Sequence, residues 1–475
     1  GNDLSTNLCM VLGKSNSLKP DDLSKKIKPL LLNKINDFEK ISIAGPGFLN
    51  INLSKEALKK IISNIFKESE TFGSQKSNSS YNIEFVSANP TGPMHIGHCR
   101  GAIFGDVLSN LLKFNGNKVT KEYYINDYGE QIKNFVKSVY LRIREIKFKE
   151  KFISEKDLYP GEYIKDIAKK IISENNFDLD NFENNFESLK ISSLKYSMHL
   201  IKEDLEKLGI SHDNFVSEKS IVDKNTIAKA IKELKTLDYV EEGYLEPPKG
   251  EDQKNWKKTK RLIFKSTMFG DDSNRSLQKI DGSWTYFAND VAYHYNKLSR
   301  KYDKLINILG ADHTGYIKRI KGAVLALSKN KIELECKVCQ LVKLFKKGSP
   351  FKMSKRAGEF ISVNDLLSEV NKDSIRFMML NRSNDVELDF DFDKVLEKNK
   401  ENPVFYVQYC HARIQSILRI INHTPDKNKL NIDNISFNKY EMEILRKIFE
   451  WPKIIKISSD KYEPHRIPFY LYELS

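Results

Sequence analysis

The 475-residue sequence has few of the features that mark secreted, membrane or metal-cluster proteins. Its five cysteines are an odd number spread along the chain, which argues against a disulfide framework and favours a reducing compartment. No stretch approaches the ~18–20 consecutive apolar residues of a membrane-spanning helix, and the start lacks the basic-then-apolar pattern of a signal peptide. We find no internal repeat. We therefore expect a cytoplasmic chain of several globular domains, with no membrane partner.

Acidic residues are fewer than basic ones. The chain has 78 Lys and Arg against 64 Asp and Glu, a net charge of +14. An excess of this size favours a polyanionic partner such as a nucleic acid, although a sequence rich in Lys, Asn and Ile can gain charge by compositional drift.

Residues 1–77 have the pattern of a small α+β domain. We expect a helix over Leu23–Phe38, a strand over Phe48–Leu53 and a second helix over Lys55–Ser69. The polar segment Gly73–Ser80 has the composition of a linker.

A strand–loop–helix–strand pattern fills residues 78–141. Asn82–Val86 is strand-like, a loop rich in Pro and Gly follows, and apolar residues from Ile96 onward recur at helical spacing until Gly116. Lys118–Ile125 is again strand-like. This order is typical of one half of a parallel nucleotide-binding sheet.

The rest of the chain divides into three further parts. Residues 142–273 are mostly helical and charged, which indicates an insertion, and residues 394–475 indicate an α-helical domain. In between, the elements expected within 274–393 are strands at Trp284–Ala288, Lys304–Leu309 and Ile332–Val342 and a helix at Tyr316–Leu327.

The loop before Ile96 has the chemistry of an anion site. A turn that ends at a helix N-terminus presents backbone N–H groups and the helix dipole to an anion. His95 and His98 lie on one face of the first helical turn and can donate hydrogen bonds to phosphate oxygens. A purely structural pair and a metal site are the alternatives, and no Cys/His cluster of metal spacing lies nearby.

A second candidate is the basic loop Lys352-Met353-Ser354-Lys355, which is followed by a glycine at 358. Two lysines flanking Met-Ser can neutralise the charge of a leaving pyrophosphate. The alternative is a solvated run of charge.

One Cys-x-x-Cys pair, Cys336 and Cys339, stands in an apolar run without a second pair. We interpret both as small buried hydrophobic residues and expect no zinc.

The two signatures together, His95-Ile96-Gly97-His98 and Lys352-Met353-Ser354-Lys355, resemble those of class I aminoacyl-tRNA synthetases. Longer strings resemble the arginyl-tRNA synthetase form, and the resemblance runs over nearly the whole chain. Those strings are Glu84–His98, Asn126–Gly129, Tyr286–Asp290, Gly310–His313 and Lys352–Gly358.

The resemblance implies an α/β fold. Its parts would be a class I Rossmann-type parallel-sheet catalytic domain, an N-terminal α+β domain that reads the tRNA D-loop, a mostly helical insertion and a C-terminal α-helical bundle that binds the anticodon. It also implies an arginine–tRNA ligase that converts L-arginine and ATP, with Mg²⁺, to arginyl-adenylate and pyrophosphate. The arginyl group would then pass to the 3′-terminal adenosine of tRNA(Arg), with no DNA partner and a monomeric enzyme.

The resemblance assigns roles residue by residue. The residues implied for arginine binding are Glu84, Ser87, Asn89, His95, Glu218, Tyr286, Asp290 and His313. Those implied for ATP binding are His95, Gly97, His98, Gly310, Asp312, Lys352, Met353, Ser354 and Lys355, with His95, His98, Lys352 and Lys355 as the catalytic set. Those implied for tRNA binding are Phe48, Asn50, Tyr406, Gln408, Tyr409 and Arg413.

Carboxylates are the natural partners of a guanidinium, so the implied arginine pocket agrees with elementary chemistry. Other interpretations stay open for single residues: a core aromatic for Tyr286 and for Phe48, and a strand ion pair for Glu84.

Three rival functions also stay open. One is a class I synthetase for another cationic amino acid, another is a non-catalytic tRNA-binding relative, and the last is a small-molecule nucleotidylyltransferase. Both ends of the chain are short against the family pattern, so we expect a fragment.

Overall fold

The computed structural model describes residues 2–153, 155–174, 181–223, 225–245, 259–351, 361–421 and 436–475. The chain forms two compact units. One comprises Gly1–Gln75, Tyr409–Ile457 and Glu473–Ser475, and the other comprises Lys76–Gln408 and Ser458–Tyr472.

The elements of the described residues are numbered in chain order. The strands β1 to β14 are Leu4–Thr6, Phe38–Ala44, Phe48–Leu53, Ser80–Glu84, Lys118–Ile125, Asn214–Ser217, Val240–Gly243, Arg261–Phe264, Arg275–Ser276, Lys304–Gly310, Leu334–Cys339, Val342–Lys346, Ser349–Pro350 and Leu388–Asp391. The helices α1 to α18 are Leu8–Asn16, Pro20–Lys34, Lys55–Glu68, Ile96–Phe114, Glu130–Phe148, Glu162–Glu174, Phe182–Lys207, Glu218–Asp223, Thr226–Thr236, Tyr286–Ser299, Ile317–Leu327, Val363–Glu369, Lys372–Met379, Phe392–Leu396, Pro403–Ile420, Lys439–Phe449, Trp451–Asp460 and Arg466–Leu474. Short 3-10 segments are Ser69–Thr71, Ser266–Phe269 and Ala311–Tyr316.

The first unit contains a three-stranded antiparallel sheet in the order β1-β3-β2. Alternation along the central strand β3 buries Leu49 and Ile51 in a core with Cys9 and Ile41. Helices α1 and α2 cover that face. The strand predicted over Phe48–Leu53 is therefore confirmed residue for residue.

The helix predicted over Leu23–Phe38 is too long at its C-terminal end. Helix α2 ends at Lys34, and Phe38 opens strand β2. Asn36 and Asp37 form a turn between them, as their side chains favour.

The second unit is built on a five-stranded parallel sheet in the order β11-β10-β4-β5-β6. The chain runs from β4 outward to β5 and β6 and later returns to place β10 on the other side of β4. The order of strands thus reverses between β4 and β10, and in such sheets ligands bind beyond the carboxyl ends of the strands at that point. Helix α4 packs on β4, β5 and β10.

Two predicted strands of this unit need correction. Trp284–Ala288 is not a strand, because the Thr285 hydroxyl accepts a hydrogen bond from the Ala288 N–H and caps helix α10. The segment Ile332–Val342 is divided, since β11 joins the central sheet whereas β12 joins β13 and β14.

The described residues of the stretch 142–273 are largely helical, and they also supply β6 to the edge of the central sheet and β7 and β8 to a small antiparallel sheet. None of the helices in the described ranges combines the length and the apolar composition needed to cross a bilayer.

Candidate active site

The loop after β4 begins with strained backbone. Val86 has φ +71° and Ser87 has φ +41°, and the Ser87 N–H donates to the Phe85 carbonyl oxygen at 3.1 Å. A β-branched residue at positive φ is costly and persists where its surroundings enforce it. The bend aims the Ser87 hydroxyl at Glu84, to which it donates at 3.1 Å, while it accepts from the Tyr124 N–H at 3.0 Å.

His95 and His98 are held together at the start of α4. The His95 Nδ1 accepts from the Gly97 N–H at 3.1 Å, and the His98 Nδ1 accepts from the His95 N–H at 3.3 Å. Their rings stack with centroids 3.8 Å apart. Burial lowers the pKa of His95 and, with the neighbouring His95, lowers the pKa of His98 to about 3.

Both imidazoles are therefore neutral at physiological pH. Since each Nδ1 accepts a hydrogen bond, the proton of each ring is on Nε2. The pair can thus present two N–H donors at a helix N-terminus, which is suited to phosphate oxygens.

Gly97 is required by the ring of His95. A Cβ built on Gly97 would lie 2.9 Å from His95 Cε1 and 3.0 Å from its Nδ1. The first signature therefore acts as one packed unit.

The second signature, with Lys352, Met353, Ser354 and Lys355, lies outside the described residues. The chain just beyond it meets the first signature: the Ile96 N–H donates to the Ile361 carbonyl oxygen at 2.9 Å, and His95 forms a β-bridge with Ser362.

Glu84 ends β4 and is bound to a buried ammonium. Its Oε2 lies 2.5 Å from Lys297 Nζ, and Lys297 is 0% exposed. Lys297 also donates to Asn307 Oδ1 on β10 at 2.9 Å, and the Asn307 amide lies 3.0 Å from His294 Nε2. The ion pair expected as the alternative for Glu84 thus exists, and it ties β4 to α10 beside the reversal of strand order.

Glu218 is buried at the N-terminus of α8. The Glu218 Oε1 accepts a hydrogen bond from the Asn289 amide at 2.9 Å. The Asn126 amide, in the orientation that satisfies its neighbours, donates to Glu218 Oε2 at 2.6 Å. Asp127 accepts from the Ser217 hydroxyl at 2.6 Å and fixes the strand end that places Glu218. Burial raises the pKa of Glu218.

Asp290 lies on the second turn of α10, and its Oδ2 accepts from the Tyr316 hydroxyl at 2.5 Å. Burial, with the charges of Glu84 and Glu218, raises the pKa of Asp290 to about 7. The Tyr316 hydrogen bond and Lys297 act in the opposite direction.

Glu84 on β4 and Glu218 on α8 both raise the pKa of Asp290 on α10 through their charges, and the ammonium of Lys297 lowers it. Among these groups the carboxylates outnumber the ammonium. A cationic ligand can reduce that excess of negative charge, and a planar guanidinium can bridge several carboxylate oxygens.

Two tyrosines of the neighbouring elements differ in burial. Tyr286 is 68% exposed, so it is not the core aromatic considered above, and its hydroxyl approaches Gly129. Tyr124 stacks on Tyr293 with centroids 4.2 Å apart, and its hydroxyl is buried near Glu218 and Asp290.

Gly310 ends β10 on the other side of the reversal in strand order. A Cβ there would lie 2.6 Å from Asp312 Oδ1, so glycine permits the Asp312 carboxylate to fold back over the strand end. Asp312 and His313 are exposed, with His313 Nε2 3.4 Å from Asp312 Oδ2. On the β4 side, the Asn89 amide donates to Gln131 Oε1 at 2.8 Å.

The residues implied for tRNA binding are on surfaces. In the first unit, Phe48 is 39% exposed on the face of β3 opposite the core, and Asn50 accepts from the Ser5 hydroxyl at 2.8 Å on that face. Phe48 is therefore not a core residue. Tyr409 and Arg413 are exposed one turn apart on α15.

The remaining two belong to the second unit, where Gln408 is exposed and the ring of Tyr406 packs edge-on against Tyr472, 5.7 Å between centroids.

Sequence reasoning missed several residues of the carboxylate pocket. His294 and Lys297 were not predicted, although they follow the predicted Asp290 at spacings of four and three, which places all three on one helix face and is a usable signal. Tyr124 and Tyr316 carried no such signal, because only the fold brings them to the pocket.

Family models match three consecutive parts of the chain. The arginyl tRNA synthetase N terminal domain matches residues 2–53, the catalytic domain of tRNA synthetases class I (R) matches residues 61–418, and the DALR anticodon binding domain matches residues 407–475.

Curated relatives and solved structures agree with these matches. An arginine–tRNA ligase of Pelagibacter ubique (strain HTCC1062) is 56% identical over 479 residues, and one of Anaplasma phagocytophilum (strain HZ) is 46% identical over 480. The alignments cover 100% of this chain and 83% and 82% of those proteins. A crystal structure described as an arginyl-tRNA synthetase of Campylobacter jejuni has a TM-score of 0.76 at 33% identity, covering 89% of each chain. The arginyl-tRNA synthetase of Thermus thermophilus shares the fold, with a TM-score of 0.71 at 19% identity, covering 98% of this chain and 84% of that one.

Proposed function

We propose that this chain, because it belongs to the class I arginyl-tRNA synthetase family, activates L-arginine with ATP and esterifies it to tRNA(Arg) at the site beyond β4 and β10. The observation that carries the proposal is, among the described residues, the set of three carboxylates, Glu84, Glu218 and Asp290, beside the ammonium of Lys297. If all three carboxylates are ionised, a neutral side chain would leave an excess of two negative charges there, whereas a guanidinium reduces that excess to one.

The guanidinium is proposed to bind between Asp290 and Glu218, with the Tyr286 ring at the mouth. Each of those carboxylates has a fixed orientation, one through Tyr316 and the other through Asn289. The Ser87 hydroxyl and the Asn89 amide, in the loop after β4, are proposed to face the α-amino and carboxylate groups together with Glu84 and His313.

The nucleotide is proposed to lie across the reversal in strand order, with its phosphates at the N-terminus of α4. Neutral His95 and His98 would donate their Nε2–H groups to phosphate oxygens, and Gly97 would allow the backbone to approach. Gly310 and Asp312 are proposed to meet the ribose and adenine. Lys352 and Lys355, with Met353 and Ser354, are proposed to contact the pyrophosphate.

The described residues contain no cluster of three or more His, Cys, Asp or Glu that could hold a metal ion. We therefore propose that Mg²⁺ enters on the phosphate oxygens of the nucleotide, where it would supply charge neutralisation. The protein would bind and orient both reactants so that the arginine carboxylate meets the α-phosphate in line.

The second step is proposed as attack of the terminal 2′-hydroxyl of tRNA on the adenylate carbonyl carbon, which forms the aminoacyl ester, breaks the bond to the phosphate oxygen and releases AMP. Phe48 and Asn50, an exposed aromatic beside an amide, are suited to stack on and hydrogen-bond an unpaired loop base. Tyr406, Gln408, Tyr409 and Arg413 are proposed to meet the tRNA from the C-terminal helices. We propose that the enzyme works as a monomer in the cytoplasm.

The test is ATP–pyrophosphate exchange over a panel of amino acids, with and without tRNA(Arg). Exchange with arginine alone among the amino acids is the expected result, and the class I resemblance implies that it depends on tRNA. Exchange with lysine in place of arginine would move the function to another cationic amino acid. Binding of tRNA by a folded chain without any exchange would indicate a non-catalytic relative.

A further inference from the structure

The 3-10 segment Ala311–Tyr316 reaches both halves of the proposed site. It follows Gly310 at the end of β10 and carries Asp312 and His313 on its exposed side. Its last residue, Tyr316, turns inward and donates its hydroxyl to Asp290 Oδ2 at 2.5 Å. One short segment therefore holds the proposed nucleotide contact and a direct bond to the proposed guanidinium carboxylate.

The ring of Tyr316 has little freedom to turn away. It packs edge-on against Phe287, with centroids 6.3 Å apart, and the Arg319 guanidinium lies 4.9 Å from its centroid. Burial and the charge of Asp290 raise the pKa of Tyr316, so its hydroxyl stays protonated and acts as the donor. A shift of the segment consequently moves the hydroxyl relative to Asp290.

We propose that Tyr316 is a positioning residue that couples the nucleotide segment to the arginine pocket, holding the Asp290 carboxylate in the orientation and ionisation that a guanidinium requires. This inference rests on the proposed function. Arginine and nucleotide would then bind with positive cooperativity, because each ligand favours the same placement of Ala311–Tyr316.

The surroundings of Asp290 determine how this coupling depends on pH. Among the described residues, the titratable or charged groups that act on Asp290 or lie near it include the carboxylates of Glu84 and Glu218, the ammonium of Lys297, the hydroxyls of Tyr316 and Tyr124 and the imidazole of His294. The pKa of Asp290 is raised to about 7, and the Tyr316 hydrogen bond lowers it from a still higher value. Without that hydrogen bond the pKa of Asp290 is higher, so a smaller fraction of the carboxylate is ionised at neutral pH. At alkaline pH the carboxylate is ionised with or without the bond, so the effect on arginine binding is smaller.

The test uses the full chain and the isosteric variant Tyr316→Phe. Arginine binding is measured by calorimetry at pH 7 and pH 8.5, with and without a non-hydrolysable ATP analogue and Mg²⁺. In the unchanged protein the analogue tightens arginine binding at least about fivefold. In Tyr316→Phe the arginine dissociation constant rises about tenfold at pH 7, rises less at pH 8.5, and becomes independent of the analogue.

Tyr293→Phe is the matched control. Tyr293 lies on α10, the helix that carries Asp290, and its hydroxyl donates to another buried carboxylate, Glu122, at 2.8 Å; that carboxylate is also paired with Arg300. This variant retains the effect of the analogue on arginine binding.

Two results would overturn the role of Tyr316 while leaving the proposed function in place. One is a Tyr316→Phe variant that binds arginine as tightly as the unchanged protein and responds to the ATP analogue in the same way. The other is an equal loss of affinity at both pH values with the coupling intact, which indicates packing alone. Failure of the proposed function is distinct, since the unchanged protein would then not bind arginine.

Discussion

The proposed phosphate end of the site, formed by His95 and His98, presents neutral imidazoles at a helix N-terminus, whereas the proposed guanidinium end, formed by Glu218 and Asp290, holds buried carboxyl groups that lack a full set of cationic partners among the described residues. Burial favours the neutral form at both ends: it lowers the pKa of His98 to about 3 and raises the pKa of Asp290 to about 7. In His95 and His98 the neutral ring carries its proton on Nε2, which is then the hydrogen-bond donor. In Asp290 the raised pKa lies close to neutral pH, so that a bound cation shifts the carboxyl group to its ionised form.

If the proposal is right, this difference lets one sheet hold two substrates of opposite charge. The donors for the polyanion would come from backbone and neutral rings, and the partners for the cation would be buried carboxyl groups whose pKa values are raised by burial. The predictions below separate the two ends, beginning with the largest expected effect.

Asp290→Asn should disable the guanidinium end alone. Removing one partner of a buried charge pair costs about 2–5 kcal/mol, so kcat/KM for arginine in pyrophosphate exchange should fall about 30- to 5000-fold. The KM for ATP should change little. Because like charges crowd this pocket, the melting temperature should stay equal or rise.

Asp272→Asn serves as the control for that variant, since Asp272 is an exposed partner of Lys318 at 2.8 Å. Asp272→Asn should leave kcat/KM for arginine and the KM for ATP unchanged. An equal loss in both aspartate variants would contradict the assignment of Asp290.

Gly97→Ala should disable the phosphate end alone. The added methyl group would lie 2.9 Å from His95 Cε1 and must displace the ring. We expect kcat to fall about 100-fold, as for the loss of a positioned transition-state donor, with the calorimetric affinity for arginine retained.

Gly101→Ala lies one turn further along the same helix, where a Cβ would meet only Ile308 Cγ2 at 4.0 Å. Gly101→Ala should have a kcat and an arginine affinity close to those of the unchanged protein. Similar losses in the two glycine variants would point to general damage to α4 rather than to the His95 ring.

Acid should weaken the guanidinium end before the phosphate end. Since a raised pKa of about 7 means that Asp290 gains its proton as the pH falls, arginine affinity should drop about tenfold between pH 8 and pH 6. Calorimetry over pH 5.5–8.5 measures this. His98, with its pKa lowered to about 3, does not titrate in that range, and Asp290→Asn should flatten the profile.

Phe48→Ala should leave both ends untouched. An exposed aromatic that stacks on one base contributes about 1–3 kcal/mol, so the KM for tRNA should rise about tenfold while arginine affinity and melting temperature stay constant. Leu49→Ala, its buried neighbour on β3, should instead lower stability by about 2–5 kcal/mol. A stability loss in Phe48→Ala would contradict its surface role.

The local pattern of apolar and polar residues was sufficient to predict much of the fold. β3 and β5 have the predicted ends, because alternation and flanking turns mark them, and the class I synthetase fold is confirmed by the structural relatives. The error at Trp284–Ala288 came from reading aromatic residues as a strand, although Thr285 is a helix cap.

The site was predictable only as far as its residues stand in contiguous strings. Glu84 and Lys297 are 213 residues apart, and their ion pair depends on the return of the chain to place β10 beside β4. The same holds for Tyr316 and Asp290, which meet across two elements. Neither pair has a sequence spacing that predicts it.

The most direct measurement compares arginine with citrulline, which has the same shape but a neutral urea group, by calorimetry on the unchanged protein. If excess buried negative charge selects the substrate, citrulline binds at least about a hundredfold more weakly than arginine, since it leaves the carboxylates of Glu218 and Asp290 unneutralised. Citrulline binding within a few-fold of arginine would contradict the account, because shape rather than charge would then select the ligand.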